Sequence, residues 1–443
     1  MLKRILLVAL AIARVLVVGL WWNFHRQHAT LDIIQVEGTQ PVITTPHRGL
    51  IPTINVAKAV GWKAGEAPTP AAGLKVQPFA TGLDHPRWLL ALPNGDVLVA
   101  ESNAPPHPDD GKGLTAKVQK SVMKKAGAGV ASPNRIILLR DADGDGIAEA
   151  RTTLLQGLNS PFGMTLANRR LYIANTDAIV SVPFVPGQTR IAGPPVKLID
   201  LPAGTINHHW TKNVIAKPDG SRLYVTIGSN SNVGENGSAA EKDRAQIWEV
   251  DPKTGQHRVY AYGIRNPNGM AWQPGADQLW TVVNERDALG SDLVPDYLTA
   301  VQFGGFYGWP WFYWGGYPDG RPKDPPPDLI QDSAIKPDYA LGPHTASLGL
   351  TFATGETLGL AYADGAFIGQ HGSWNRDPPS GYKVVFVNFR KGQPVGKPID
   401  VLTGFLDAKG RARGRPVGVA IAKDGALLVA DDVGNRIWRV ARR

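Results

Sequence analysis

A tight turn followed by an apolar run recurs six times along the chain and limits its possible folds more than any other feature. The six copies are PNGDVLVAES from residue 93, ANRRLYIANTD from 167, PDGSRLYVTIGS from 218, PGADQLWTVVNE from 274, ADGAFIGQHGSW from 363 and KDGALLVADD from 423. P-N-G, P-D-G and K-D-G turns favour tight hairpins, and the apolar runs after them are typical of buried or half-buried strands. Each copy is therefore predicted to be one hairpin of a repeated β-sheet unit.

The spacing of the copies predicts the architecture. It leaves room for four strands in each unit, with the widest gaps holding insertions. The chain has 443 residues with 50 Gly and 36 Pro, which suits a large, turn-rich β domain. We therefore predict an all-β protein, a six-bladed β-propeller over residues 74–443. Residues 25–73, rich in Pro, Gly and Thr, are predicted to be a linker.

The first 24 residues predict export. Lys3 and Arg4 precede an apolar run that extends to Trp22, which is typical of a signal or membrane-anchor helix. The run ends in two tryptophans and no small-x-small cleavage site follows it, which favours an uncleaved anchor. Arg14, inside the run, is costly to insert and favours the alternative, a cleaved signal peptide. We therefore expect a periplasmic domain anchored to the inner membrane by its N-terminal helix.

The segments that lead into the six copies carry polar residues that a propeller would gather in one place. Each such segment approaches a strand near the central axis, so equivalent positions converge on one mouth of a channel. Several arginines at one mouth suit a compact polyanion, because the guanidinium fork binds carboxylates. The alternative is that some of these arginines pair with acids inside the propeller. The residues at these positions are Arg87, Phe162, His208, His209, Arg265, Asn266, Ser347, Arg413 and Arg415.

The charge of the chain also indicates an anionic partner. The formal net charge is +9. Lys and Arg are scattered along the chain and no zinc-finger, KH or RRM signature is present, so no nucleic-acid partner is expected. The chain has no cysteine, which excludes disulfides and thiolate chemistry.

Five motifs, in this order, resemble those of the glucose/sorbosone dehydrogenase family. They are HHWTKNVIAKPDGSRLYVTIGS, YAYGIRNPNGMAW, NERDALGSDLVPDYLTAVQFGGFYGWP, GQHGSWNR and RGRPVGVAIAKDGALLVADD. Members of this family are quinoprotein six-bladed propellers that bind pyrroloquinoline quinone (PQQ) with calcium. The resemblance covers roughly residues 74 to 440, and the sorbosone dehydrogenase branch is more similar than the soluble glucose dehydrogenase branch. It implies PQQ-dependent oxidation of a sugar or a sugar aldehyde, either an aldose or an L-sorbosone-like compound.

The resemblance implies that His209 is the general base. A histidine that titrates near neutrality can take the hydroxyl proton as hydride leaves carbon. Arg265 and Asn266 match the pair at the quinone end of PQQ, where the arginine would stabilise developing negative charge. Only one of His208 and His209 can face the channel, because successive strand residues point to opposite sides. Ser229 stands where glucose dehydrogenases have an aspartate that orients the histidine, which weakens the case for glucose and leaves the orienting partner open.

The resemblance also implies a cofactor site, a metal site and an electron acceptor. The backbone carbonyls of Asp287 and Ala288, in NERDALG, match the loop that ligates calcium. No C-x-x-C-H haem motif is present, so electrons must pass to a separate acceptor, a membrane quinone or a cytochrome. The residues implied for the PQQ carboxylates are Arg413 and Arg415, with Arg376 or Lys383 as a further cation.

Two other interpretations remain open. A sugar-lactone hydrolase on the same architecture would need several acidic residues at the channel mouth to hold a metal, whereas the positions there are mostly cationic. A non-catalytic propeller that acts as a binding scaffold would take up no cofactor and would reduce no dye.

The acidic segment DADGDGIAEA begins like a calcium loop, with Asp141, Asp143 and Asp145 at alternate positions. Glu149 arrives too early for the EF-hand spacing, and no helix pair flanks the segment. A solvated hairpin turn between blade strands is therefore favoured, with a second calcium site as the alternative.

Overall fold

The computed structural model describes residues 28–48, 53–106 and 124–443, with short pieces at 10, 12–14, 17–19 and 121–122. The pieces at 10, 12–14 and 17–19 are helical. No helix within the described residues is long and apolar enough to span a membrane. Most of the predicted N-terminal anchor, residues 1–24, lies outside the described residues, so the anchor stays a prediction.

The fold is the predicted six-bladed β-propeller, and each blade is built on four antiparallel strands, which follow one another in sequence order in blades 1 to 5. From the channel outward, blade 1 comprises Pro86–Ala91, Val97–Glu101, Arg135–Arg140 and Ala150–Gln156, and blade 2 comprises Met164–Ala167, Arg170–Ala174, Ala178–Pro183 and Val196–Asp200. Blade 3 comprises Val214–Ala216, Leu223–Ile227, Gln246–Val250 and His257–Tyr262, and blade 4 comprises Pro267–Trp272, Leu279–Val283, Pro295–Ala300 and Tyr339–Pro343. Blade 5 comprises Ser347–Phe352, Gly365–Gln370, Lys383–Arg390 and Gln393–Thr403, and blade 6 comprises Pro416–Ile421, Leu427–Asp431, Arg436–Arg442 and Leu74–Thr81.

The ring is closed by a strand from the start of the propeller sequence. Leu74–Thr81 pairs antiparallel with Arg436–Arg442 and forms the outer edge of blade 6. The first strand of every blade contacts the first strand of the next, and the first strand of blade 6 contacts that of blade 1. The six first strands therefore surround a central channel.

The hydrophobic core is divided into six clusters, one between each pair of neighbouring blades. Trp280 of blade 4 and Phe389 of blade 5 pack edge to face in one of them, with ring centroids 5.0 Å apart. Five of the six second strands are buried along their whole length, as in Leu427–Asp431, and the sixth, Arg170–Ala174, is buried except at Arg170. Burial of each such large apolar side chain contributes about 1.5–3 kcal/mol. This packing fixes the blades and hence the loops at the channel mouth.

The described parts of the segment predicted to be a linker pack on the propeller. Glu37–Gly38 adds a strand to the outer edge of blade 4, and Thr69–Pro70 adds one to blade 5. Trp62 is buried against the rings of Phe405 and Trp438. The Pro and Gly content of this segment accounts for its irregular backbone. Strand pairing and the buried Trp62 attach that backbone to the blades.

Short elements complete the described structure. Gly305–Phe306 lies parallel to the outer strand of blade 3, and Phe312–Tyr313 pairs with Tyr317–Pro318 in a separate hairpin. The 3-10 helices are Ile33–Val36, Ser238–Glu241, Gln331–Ser333 and Leu360–Tyr362.

Candidate active site

The segments that lead into the blades meet at one mouth of the channel. Ser229, after the second strand of blade 3, donates its backbone N–H to the carbonyl of Arg265, which leads into blade 4, at 2.8 Å. Across the mouth, Arg87 in the first strand of blade 1 donates to the carboxylate of Asp432, after the second strand of blade 6, at 2.6 Å. Bonds between blades thus join residues that are far apart in sequence into one rim.

His209 is held in one orientation by Ser229. Its Nδ1 lies 2.8 Å from the Ser229 backbone oxygen and 3.0 Å from the Ser229 hydroxyl oxygen. The hydroxyl donates its proton to the Ser231 carbonyl at 2.7 Å, so it accepts rather than donates at His209. Nδ1 therefore carries the proton and Nε2 carries the lone pair. No hydrogen bond to Nε2 occurs among the described residues, whereas the neighbouring His208 ring is exposed.

The surroundings of His209 keep the ring neutral. Burial, and then the positive charge of Arg265, lower the pKa of His209 well below its ordinary value. A neutral imidazole with a free Nε2 lone pair is the form that can accept a proton from a hydroxyl group.

Gly228 allows His209 and Asn266 to come close together. A Cβ at position 228 would lie 2.4 Å from Asn266 Oδ1 and 2.5 Å from His209 Cβ. The Oδ1 atom of Asn266 is buried and has no hydrogen-bond partner. An unpaired acceptor therefore lies beside the histidine, as a site for a donor on a bound molecule.

Arg265 is buried and its donors are engaged. Its Nη1 donates to the carbonyls of Glu285 and Asn284 at 2.7 and 3.2 Å. Its Nε and Nη2 donate to Asn232, and Nη2 lies 3.5 Å from Asp287 Oδ2. The guanidinium is thus fixed beside His209, where it acts through its charge rather than through a free N–H.

An ion pair lies behind Arg265. Asp287 Oδ1 accepts from Asn375 at 2.7 Å and lies 3.3 Å from His344 Nδ1. Burial raises the pKa of Asp287, but the hydrogen bond from His344 and the charge of Arg265 outweigh it and lower that pKa to about 2. Burial lowers the pKa of His344, and the contact with Asp287 overcomes this and raises it.

A second polar cluster faces the mouth from blades 1, 5 and 6. The Asp432 carboxylate accepts from Arg87 and from His371 Nε2, at 2.6 and 2.9 Å. Burial, with the charges of Arg415 and Arg87, lowers the pKa of His371 to about 4 despite the carboxylate. The guanidinium of Arg87 lies 5.8 Å from the ring of Trp210, the neighbour of His209. The Nε of Arg87 is buried and has no partner.

Arg415 approaches this cluster on a backbone held by Asp431. The Asp431 carboxylate accepts the backbone N–H of Arg415 at 2.8 Å and the indole N–H of Trp62 at 2.7 Å. The Arg415 guanidinium lies over the ring of Tyr382 and donates to its hydroxyl at 3.1 Å. Its Nε, like that of Arg87, is buried without a partner. Two arginines therefore bring unpaired donors to one site.

Three of the residues predicted to contact the cofactor bond to other groups of the chain in this structure, and their cofactor roles stay predictions. Arg376 donates to the carbonyls of Ser291 and Pro378 and so ties down its own loop. Lys383 pairs with Asp400 on the outer strand of blade 5, at 2.7 Å. Arg413 lies over Trp62, 3.8 Å from Glu66 Oε2. Of these three, Arg413 belongs to the segments that lead into the blades, and its contact with Glu66 is the pairing with an acid that the alternative describes.

The carbonyls predicted as calcium ligands are already in use. Arg321 Nη1 donates to the Asp287 carbonyl at 2.7 Å and lies 3.4 Å from the Ala288 carbonyl. The Asp287 carbonyl also accepts from Asn232 at 3.1 Å. A guanidinium thus supplies the positive charge at these two oxygens, and they do not fit a calcium ion unless Arg321 moves.

The acidic segment of blade 1 forms an exposed hairpin between the third and fourth strands. Carboxylates of Asp141, Asp143, Asp145 and Glu149 offer ligand atoms that all lie within 4.8 Å of one another. Each also accepts a backbone N–H of its own turn, such as Gly146 N–H to Asp141 at 2.8 Å. The contacts are those of the favoured hairpin turn, and a second calcium ion there stays an alternative.

Sequence reasoning missed three features of the site. The GQHGSWNR motif contains His371, but nothing in the sequence pairs it with Asp432, 61 residues further along. Arg87 lies in a segment that leads into a blade, and this position indicated that it would face the channel, although the sequence assigned it no role. Ser229 was noted as a departure from an aspartate, and the structure shows that its carbonyl and hydroxyl orient His209.

A family model described as TrAA12-like matches residues 68–295 and 328–443, which is most of the chain. Among curated proteins, the chain is 25% identical over 435 residues to the pyrroloquinoline quinone-dependent pyranose dehydrogenase of Coprinopsis cinerea. That alignment covers 84% of this chain and 54% of the relative, so the chain spans about half the relative's length.

Solved structures share the fold. The holo form of the pyranose dehydrogenase PQQ domain from Coprinopsis cinerea is 21% identical, covers 87% of this chain and all of that chain, and gives a TM-score of 0.67. The calcium structure of the Trichoderma reesei carbohydrate-active enzyme of family AA12 is 18% identical, covers 88% of this chain and 99% of that chain, and also gives 0.67. These likenesses confirm the propeller.

Proposed function

Because the chain belongs to the TrAA12-like family, we propose that it is an oxidoreductase that uses pyrroloquinoline quinone (PQQ) to oxidise a sugar or a sugar aldehyde, with His209 as the general base. The observation that carries the proposal is the arrangement of the mouth. A neutral histidine with an open Nε2 shares it with two buried arginines whose Nε atoms have no partner. The Coprinopsis relative named for PQQ-dependent pyranose oxidation supports the same cofactor.

The residues at the mouth fit PQQ. The cofactor carries three carboxylates, and arginine is the side chain best suited to bind them. Arg87 and Arg415 are buried and each has an unpaired Nε–H, which would be costly unless an acceptor binds there. Asn266 offers the matching unpaired acceptor beside His209. We assign Arg87 and Arg415 to the carboxylates and Arg265 with Asn266 to the quinone end.

When bound, PQQ would supply the group that accepts hydride from the substrate. The chain's own residues then have separate tasks. His209 Nε2 takes the proton of the substrate hydroxyl as the C–H bond on the same substrate carbon breaks. Ser229 meanwhile holds the Nδ1 proton of His209. Arg265 supplies a fixed positive charge where negative charge develops. The rim positions the two reactants against each other.

We propose to add calcium together with PQQ when the purified protein is reconstituted, because the Trichoderma reesei relative was solved as a calcium structure. The carbonyls of Asp287 and Ala288 do not fit it as they stand, because both lie against Arg321. We therefore assign no calcium ligand and give calcium no step in the reaction.

The substrate and the cellular setting extend the proposal. We propose an L-sorbosone-like compound or an aldose as substrate, in keeping with the motif resemblance and with the relative named for pyranose oxidation. A membrane quinone or a cytochrome would take the electrons. The N-terminal basic and apolar run supports a periplasmic domain anchored to the inner membrane.

The two rival interpretations are less well supported. Within the described residues, the one group of three or more acidic or histidine side chains with ligand atoms close enough to share a metal lies on the exposed hairpin of blade 1. A metal-dependent lactonase would need such a group of metal ligands at the mouth of the channel. A scaffold without a cofactor gives no reason for two buried arginines with unpaired donors.

Reconstitution of the purified protein tests the proposal. The protein is incubated with PQQ and calcium and desalted, and retained PQQ is measured by absorbance. Reduction of an artificial electron acceptor is then followed with a panel of pyranoses, L-sorbosone and sugar lactones. Stoichiometric PQQ and dye reduction with a sugar or sugar aldehyde are expected. No PQQ retention, or lactone hydrolysis without PQQ, would overturn the proposal.

A further inference from the structure

The orientation of His209 depends on the carboxylate of Glu241, which is connected to it through two other residues, Ser231 and Ser229. Glu241 lies at the end of the 3-10 helix Ser238–Glu241, which follows the loop Ser229–Gly234 along the chain. We infer that Glu241 is the positioning residue for the base His209, acting through Ser231 and Ser229. This inference deepens the proposed function and rests on it.

The connection is a series that combines hydrogen bonds with the backbone of Ser231, whose hydroxyl contacts Glu241 and whose carbonyl contacts Ser229. The Ser231 hydroxyl donates to Glu241 Oε1 and accepts the backbone N–H of Gly234 at 2.8 Å. The Ser231 carbonyl accepts the Ser229 hydroxyl at 2.7 Å. That hydroxyl, together with the Ser229 carbonyl, accepts the Nδ1 proton of His209. The Ser229 hydroxyl both accepts and donates, whereas Ser231 uses its carbonyl for Ser229 and its hydroxyl for Glu241, so Glu241 acts by holding the backbone of Ser231 in place.

Glu241 holds two successive residues of the loop. Its Oε2 accepts the backbone N–H of Asn230 at 2.7 Å, while Oε1 takes the Ser231 hydroxyl. The Asn230 side chain returns the contact by donating to the carbonyl of Ala240 at 2.7 Å. The helix and the loop are thereby joined on both sides of the carboxylate. Ser229, which precedes these residues, is fixed as a result.

The same loop also positions Arg265. Asn232 accepts the Nε and Nη2 protons of Arg265, at 3.1 and 3.0 Å. Trp309 donates its indole N–H to the Asn232 carbonyl at 3.0 Å. Ser229–Gly234 therefore carries contacts to both groups beside the proposed reaction centre. Removal of the Glu241 carboxylate would free the Ser229 end of this loop, because Glu241 contacts Asn230 and Ser231 beside it.

A second carboxylate nearby offers a matched control. Glu241 and Asp324 both line a cavity of about 210 Å³ walled by Tyr262, Phe306 and Trp309. Asp324 Oδ2 accepts the backbone N–H of Ser238 at 2.8 Å, and within the described residues its side chain makes no hydrogen bond to the loop Ser229–Gly234. Asp324→Asn thus changes the charge of the same cavity without touching the series.

The first readout is the tautomer of His209 in the apoprotein, observed by nitrogen-15 NMR of histidine-labelled protein and assigned with a His209→Gln sample. The wild type should show one tautomer with the proton on Nδ1. Glu241→Ala should show both tautomers. In the reconstituted enzyme, the same variant should lose about 10- to 100-fold in kcat, with KM and PQQ retention within about two-fold of the wild type.

Ser231→Ala tests the series if Glu241→Ala does not fold, and it should give the same mixture of tautomers. Ser231→Thr keeps the hydroxyl and should restore the single tautomer, and Asp324→Asn should leave it unchanged. A single Nδ1–H tautomer in both Glu241→Ala and Ser231→Ala would overturn the inference. Absence of turnover in the wild type would instead count against the proposed function, and the tautomer result would still decide the role of Glu241.

Discussion

The Nδ1 atom of His209 lies 2.8 Å from the backbone oxygen of Ser229. A carbonyl oxygen can only accept a hydrogen bond, so this contact fixes the proton on Nδ1 and leaves the lone pair on Nε2. The family resemblance had pointed to a missing aspartate at position 229. The backbone at that same position supplies the acceptor instead, with the serine hydroxyl as a second one.

Replacement of the base should separate cofactor binding from turnover. We expect His209→Gln to retain PQQ and to lose about 10²- to 10⁴-fold in kcat, because general base catalysis contributes that range. Dye reduction and retained PQQ measure the two effects. His208→Gln, which changes the exposed neighbour, should lose less than about two-fold. Near-normal turnover in His209→Gln would show that another group takes the proton.

Removal of an arginine at the mouth should weaken cofactor binding. Arg415→Gln keeps the backbone contact to Asp431 but removes the charge, and we expect PQQ affinity to fall about 10- to 100-fold, as for one charge-assisted hydrogen bond. A fluorescence titration of the apoprotein with PQQ measures this. Lys383→Gln is the control and should bind PQQ as the wild type does, because its ammonium pairs with Asp400. Equal losses in both variants would contradict the assignment.

A single methyl group at position 228 should disturb the site without unfolding the protein. In Gly228→Ala the new Cβ would meet Asn266 Oδ1 and His209 Cβ at 2.4 and 2.5 Å, so one of them must move. Overpacking of this kind costs about 1–3 kcal/mol, and we expect turnover to fall at least about 10-fold. Gly316→Ala, whose Cβ would meet only Gln331 at 3.7 Å, is the matched control. Unchanged kinetics in Gly228→Ala would argue against this close packing.

The pH dependence of turnover should show the low pKa of His209. Burial and Arg265 lower the pKa of His209, so the neutral base is present from alkaline pH down through 6.5 and is lost only below that value. We therefore expect kcat/KM to have an acid limb whose midpoint lies below 6.5. A pH profile of the reconstituted enzyme measures it. A midpoint above 6.5 would be inconsistent with a buried neutral histidine as the base.

The N-terminal segment should make the stability of the fold depend on pH. Burial raises the pKa of Glu37 to about 7, whereas the unfolded chain releases this proton near 4.5. The free energy of unfolding should therefore fall as pH rises from 4.5 to 7, by on the order of 3 kcal/mol from this group. Glu37→Gln should remove this loss, seen as a higher Tm at pH 8. The exposed Glu356→Gln serves as the control, and an equal gain there would refute the explanation.

The sequence by itself determined the repeat and therefore the propeller. Turn residues and apolar runs are local signals, and six copies of one signal leave few ways to bury their apolar faces. The same repeat placed His209, Arg265 and Arg415 at equivalent positions at one mouth. Those assignments depend only on each residue's place next to a strand, which the local pattern defines.

The tertiary structure decided which partner each of these residues meets. Arg87 and Asp432 are 345 residues apart in sequence and meet because the last blade closes against the first. Arg413 and Arg415 are two residues apart, yet one lies over Trp62 and the other contacts Tyr382. Both precede the strand Pro416–Ile421, and the irregular path of the backbone there separates them. A local pattern therefore places a residue at the mouth, whereas closure of the ring determines which groups remain unpaired there.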